Sequence, residues 1–158
     1  MNVRLATVRE ADALAKVINA AFVVEAFFKI GNRTSAEEIA SLMKAGSEFL
    51  VIGAGPGGHE DIAACVHLKC SGDRAHLGML SVDPARQRQG LGRRLVVAVE
   101  TRARERGCRF VDMHIVNLRA ELPAYYRALG YEETGTLPFS DPELSTQSCY
   151  FMVMSKAL

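Results

Sequence analysis

The chain has 158 residues, 49% of them apolar, which suits one domain, residues 1–158, built around a single core. With 19 Lys and Arg against 18 Asp and Glu the formal charge is +1, which excludes the strong positive field of a nucleic-acid binder. No apolar run nears the roughly 20 residues of a membrane span, and Met1–Thr7 lacks the apolar stretch of a secretory signal.

A short strand is expected at Val3–Ala6. Thr7, with Glu10 three residues on, is a capping-box start for a helix to about Phe22, whose apolar face holds Leu14, Val17, Ile18 and Ala21. Ser35 and Glu38 repeat the spacing and open a second helix through Ile39, Leu42 and Met43, stopped at Gly46. Strands follow at Glu48–Ile52, Ile62–Cys70 and Ala75–Val82, the last two joined by the hairpin signal Ser71-Gly72-Asp73-Arg74. A long helix covers Gly90 to Arg106, ended by Gly107. Phe110–Val116 is a strand, and a short helix with Pro123 in its first turn ends at Gly130. Tyr131–Gly135 and Cys149–Ser155 close the chain as strands. The order β-α-α-β-β-β-α-β-α-β-β predicts an α/β fold: a mixed, mostly antiparallel central sheet of about seven strands with about four flanking helices. The helix between Ala75–Val82 and Phe110–Val116 implies one right-handed parallel crossover.

The four cysteines, Cys65, Cys70, Cys108 and Cys149, show no C-x-x-C spacing, so neither zinc nor redox chemistry is expected. Free thiols fit a reducing, cytoplasmic setting. Gly53-Ala54-Gly55-Pro56-Gly57-Gly58 matches G-x-G-x-x-G, but the chain runs on through His59 to another strand, with no helix to receive a pyrophosphate. A β-hairpin loop is the simpler expectation.

The informative stretch runs from Leu80 to Arg94. A strand ends, a loop turns, and a helix starts at Gly90-Leu91-Gly92. The first N–H groups of a helix lack intrahelical acceptors, and glycine lets a bulky anion approach them. Helix first turns favour acids, yet this one carries Arg93 and Arg94 behind Arg86 and Arg88, with no acid before Glu100. A bound polyanion would relieve that conflict. Farther along, Leu91, Leu95, Val99 and Ala103 form the inward face, and Glu100 is expected to pair with Arg104 outside.

At these residues the sequence resembles the GNAT superfamily of acetyl-CoA-dependent N-acetyltransferases. Gln87-Arg88-Gln89-Gly90-Leu91-Gly92 fits that family's Gln/Arg-x-x-Gly-x-Gly/Ala pattern, and Leu80-Ser81-Val82 fits the strand that precedes it. Tyr125-Tyr126-Arg127-Ala128-Leu129-Gly130-Tyr131 fits a second family segment, and the element order matches too. The resemblance implies acetyl transfer from acetyl-CoA to a primary amine, on a small molecule or peptide, without a metal. It implies that Gln87, Arg88, Gln89, Gly90, Leu91, Gly92 and Arg93 hold the pyrophosphate. Leu80, Ser81 and Val82 would pair with the pantetheine arm and offer an oxyanion donor. Tyr126 matches the general acid. Many members have Asn where this chain has Arg119; Asn117 is the nearby candidate for the CoA arm. His76 falls where several members place a Glu base, with His67, His114 and Asp112 as weaker candidates. Homodimerisation is compatible with the resemblance.

The acceptor is expected between Phe22 to Lys29 and Leu137–Gln147, where Glu25, Asp141 or Glu143 would attract a cationic amine. The competing class is a non-catalytic acyl-CoA-binding regulatory module on the same fold, which would have no use for a thiolate acid.

Overall fold

Local chemistry sets the helix boundaries in the computed structural model, which describes residues 2–53 and 61–158. After β1, Val3–Leu5, the Thr7 N–H donates to Glu10 Oε1 at 3.0 Å, and a 3-10 turn, Val8–Glu10, leads into α1, Ala11–Ala21. The expected single helix to Phe22 is thus split, and a second 3-10 turn, Phe22–Glu25, follows it. The Ser35 hydroxyl accepts from the Glu38 N–H at 3.1 Å and starts α2, Ala36–Lys44. Next come β2, Glu48–Gly53, β3, Ile62–Ser71, and β4, Arg74–Val82. Then follow α3, Leu91–Glu105, β5, Phe110–Val116, α4, Leu122–Ala128, β6, Glu132–Pro138, and β7, Tyr150–Ala157.

The seven strands form one sheet in the order β1-β2-β3-β4-β5-β7-β6. Every neighbouring pair is antiparallel except β4 and β5, which are parallel as the crossover helix requires. Period-two alternation sorts the two faces. Leu50 and Ile52 pack with Leu95, Val96 and Val99 of α3, while Phe49 and Val51 pack with Leu14 and Ile18 of α1 and Ile39 of α2. Burying a side chain such as Leu95, 0% exposed, contributes roughly 1.5–3 kcal/mol.

Two features of this sheet shape the site. The pair β4–β5 is joined only at Arg74↔Phe110, Ala75↔Val111 and His76↔Asp112, so the rest of β4 has no strand on that edge. On its other edge β4 carries a bulge: Cys65 opposes Ser81 and His67 opposes Gly78, leaving Met79 and Leu80 across from Val66 alone. Met79 takes φ 50°, and the extra residue reverses the alternation: Ala75 and Leu77 lie with the α3 cluster, Met79 with the α1/α2 cluster.

Three expectations need correction. Glu100 does not pair with Arg104 at the surface. It is 6% exposed, and its carboxylate accepts from the Tyr131 hydroxyl at 2.8 Å and from Lys156 Nζ at 3.1 and 3.2 Å. Tyr131 is not the first residue of β6 but a buried ring that brings its phenol to Glu100. β6 itself runs beyond Gly135 to Pro138. Of the glycine-rich loop, the flanking Gly53 and Ile62 do pair antiparallel, but residues 54–60 lie outside the described residues.

Lys156 Nζ also donates to the Leu129 carbonyl at 2.9 Å, so one ammonium ties β7, α3 and the end of α4 together. Lys156→Met strands the Glu100 carboxylate and is expected to lower stability by about 3 kcal/mol in urea unfolding. Adding Glu100→Gln should recover much of that; an unchanged midpoint for the single variant would show that the pair contributes nothing.

Candidate active site

The chain leaves β4 at Val82, makes a 3-10 turn at Pro84–Arg86 and enters α3 through Gly90. The turn is set locally: the Asp83 carboxylate accepts from the Ala85 N–H at 3.0 Å. Arg88 and Gly90 adopt φ 66° and φ 75°, left-handed conformations that suit Gly90 and strain Arg88. The N-cap of α3 is Gly90, which has no side chain to cap it. Its first internal bond is the Arg94 N–H to the Gly90 carbonyl, 3.1 Å, so the amides of Leu91, Gly92 and Arg93 head the helix without intrahelical acceptors.

The four arginines do not act alike. Arg86 is occupied by Asp61 at 3.7 Å and Asp83 at 3.9 Å, which corrects its expected place among the anion-facing charges. Arg88 and Arg93 are exposed and show no ion pair among the described residues. Positive charge at the positive end of a helix, with no acid in the first turn, is unfavourable until an anion arrives.

A Cβ added to Gly92 would stand 3.1 Å from Tyr125 Oη, 3.8 Å from Val82 Cγ2 and 3.9 Å from Leu80 Cδ2. The start of α3, the end of β4 and the first turn of α4 therefore meet over this glycine. Tyr126 stacks edge-on to Tyr125, ring centroids 5.0 Å apart, and is 6% exposed within the α3-side cluster. Its hydroxyl has no hydrogen-bond partner among the described residues, and burial pushes its pKa well above the ordinary phenol value.

The opposite face of β4 carries imidazoles. His67 on β3, His76 on β4 and His114 on β5 form a row, with ring centroids 6.3 and 4.9 Å apart. A Cβ at Gly78 would lie 3.3 Å from His76 Nε2 and 3.4 Å from His67 Nδ1, so the two rings converge over a position without a side chain. His67 Nε2 is buried without a partner. Burial first, then neighbouring positive charge, pushes both His67 and His76 down to about 4; Asp112 works the other way on His76. Asp112 is held by Arg74 through two 2.7 Å bonds and by the Ser155 hydroxyl at 2.5 Å.

The sequence pattern of acetyltransferase (GNAT) domains matches residues 45–133, more than half of the 158. The chain belongs to the GNAT acetyltransferase family. Ribosomal-protein-alanine N-acetyltransferase from Brucella melitensis superposes with a TM-score of 0.74 at 24% identity, covering 100% of both chains. YncA from Salmonella typhimurium, solved with acetyl-CoA, superposes at 0.74 with 19% identity, over 99% of this chain and 93% of that one. An aminoglycoside 6′-N-acetyltransferase complexed with coenzyme A gives 0.75 at 16%, over 99% and 97%. At these identities the superpositions speak to the fold. A comparison with curated protein sequences returns no match.

Within this GNAT fold, Leu80, Ser81, Val82 and the stretch Gln87 to Arg93 cluster at one end of β4, with Tyr125 and Tyr126 beside them. The Ser81 hydroxyl is turned inward to the Met79 carbonyl at 2.9 Å, so only its backbone is available there. His76 and Tyr126 lie with opposite faces of the sheet, His76 in the imidazole row and Tyr126 in the α3-side cluster. Asn117 is engaged across the β5–β7 end, where its N–H donates to the Tyr150 carbonyl and its Oδ1 accepts from the Tyr150 N–H, both 2.9 Å. Glu25 is not open to a cationic amine. It is 7% exposed and paired with Arg119 at 2.9 Å. Tyr125 belonged to the tyrosine segment, but its approach to Gly92 had no signal in the sequence. Among the described residues no group of three or more His, Cys, Asp or Glu could hold a metal, and no helix is long and apolar enough to cross a membrane.

The two depressed histidines make a stability prediction. An unfolded imidazole titrates near ~6.5, so between pH 6.5 and 4 the folded chain binds fewer protons than the unfolded one. Their contribution is complete above pH 6.5 and is lost as pH falls toward 4. The melting temperature should drop across this window, and His67→Gln with His76→Gln should flatten the slope. An unaltered slope would mean the imidazoles are not held neutral.

Proposed function

We propose that this protein transfers the acetyl group of acetyl-CoA to a primary amine by direct attack. The observation that carries it is the uncapped start of α3 beside the unpaired edge of β4. The amides of Leu91, Gly92 and Arg93, with the loop amides of Gln87 to Gly90 and the charges of Arg88 and Arg93, suit the CoA diphosphate. The free edge at Leu80, Ser81 and Val82 suits the amide-bearing pantetheine arm, which would add as a further strand. A backbone N–H at the bulge serves as oxyanion donor, a type of contact worth roughly 3 kcal/mol of barrier.

The amine nitrogen bonds to the thioester carbon, the C–S bond breaks, and the sulfur leaves as thiolate. Tyr126, kept neutral by burial, donates its hydroxyl proton toward that sulfur. His76 is neutral at pH 7 with a free ring nitrogen. A base this weak does not deprotonate a free alkylammonium ion. It takes the proton after attack, when bond formation has made the nitrogen far more acidic, and His67 and His114 extend the row along which that charge is shared. Tyr126 and His76 thus serve the leaving group and the incoming amine from the two sides of the sheet.

Saturating acetyl-CoA should raise the melting temperature. Gly92→Asp, which puts a carboxylate where Tyr125, Val82 and Leu80 converge, should abolish the rise. Tyr126→Phe should lower kcat by about 10²-fold or more with little change in CoA affinity. An unshifted melting curve sinks the donor site, and equal kcat in the two proteins removes Tyr126 from the chemistry.

A further inference from the structure

The segment after α1 is clasped to the loop between β6 and β7. Ile30 N–H donates to the Leu144 carbonyl and Thr146 N–H to the Phe28 carbonyl, each at 2.7 Å, with Lys29 bridged to Ser145. The other end is fixed by Asn19, whose side chain exchanges two 3.0 Å bonds with the Thr34 backbone. Between these anchors lies a cavity of about 90 Å³ lined by Phe22, Glu25, Lys29, Asn32 and Arg33 among others.

Two cations, Lys29 and Arg33, and one acid, Glu25, line it. Glu25, the one acid among the lining residues, is already neutralised by Arg119. Lys29 and Arg33 are half-buried and make no ion pair among the described residues. Arg33 lies over the Phe22 ring, 5.4 Å from its centroid, which fixes the guanidinium at the cavity wall. Lys29 is pushed below the ordinary ammonium value by burial first and then by Arg33, while Glu25, Asp141 and Glu38 pull it the other way. The Arg33 charge also works, behind burial and closer neighbours, to lower the basicity of His67 and His76. The cavity has room for a small charged headgroup.

Resting on the acetyl-CoA reading above, we propose that the acceptor is a small amine bearing its own carboxylate, gripped by Lys29 and Arg33. This inverts the expectation that acids of this segment would attract a cationic acceptor.

The test uses the full-length chain, acetyl-CoA and matched acceptor pairs: amino acids, and the same amines lacking the carboxylate. The wild-type protein should favour the carboxylate-bearing member in kcat/KM. Arg33→Gln and Lys29→Gln should each cut that preference roughly 10-fold or more, as loss of a charged hydrogen bond predicts. The acetyl-CoA melting shift should persist in both variants. Preference for the carboxylate-free amines or for polyamines, preference that survives both substitutions, or acetyl-CoA binding with no amine acetylated, would each overturn the proposal while leaving the donor site standing. Loss of the melting shift in the wild-type protein would instead remove the donor site on which it rests.

Discussion

Three residue pairs hold β4 to β5, and then the strands part. That early parting is the constraint on which the rest of the molecule turns. A parallel pair has to be crossed by a connection of a dozen or more residues, so α3 must begin where β4 ends. The helix therefore delivers its positive end to the place where β4 is left with unsatisfied backbone on one edge. The bulge at Met79 and Leu80 adds to this by breaking the ladder with β3 just upstream. Two sets of backbone groups, helix-end donors and a strand edge without a partner strand, are thus brought together.

An exposed strand edge and an uncapped helix are liabilities unless the parts around them are rigid. Rigidity comes from side chains on the far side of α3. Glu100 receives Tyr131 and Lys156, and Lys156 reaches the Leu129 carbonyl, so α3, α4 and β7 are fastened at one buried carboxylate. Arg119 does the same near the end of α1 by joining Glu25 to Glu121, at 2.9 and 2.6 Å. The site sits between two ion-paired braces, and Arg88 and Arg93, which face the candidate anion cradle, stay outside both.

Much of the architecture could be read from the chain. The caps at Thr7 and Ser35, the stops at Gly46, Gly107 and Gly130, and the β-α-β crossover are written in short-range chemistry that depends on neighbours in sequence. The Gly90-Leu91-Gly92 turn and the tyrosine segment were legible for the same reason. What was not legible depends on partners far away. Glu100 looked like a surface acid because Arg104 is one helical turn on; its real partners, Tyr131 and Lys156, are 31 and 56 residues away. Arg86 looked like part of an anion site until Asp61 came within reach. The bulge at Met79 has no local signature, since a non-glycine residue at φ 50° is held there by the sheet rather than by its own preference. His67 meets His76 only because β3 and β4 are in register.

Backbone amide spectra, recorded residue by residue as CoA is added, address the helix-end cradle most directly. Large shifts are expected at Gln87 to Arg93 and along Met79 to Val82, with Arg119 and Glu100 little affected. Saturable binding that leaves the amides of Gly90, Leu91, Gly92 and Arg93 unmoved would contradict the cradle, whatever activity the protein retained.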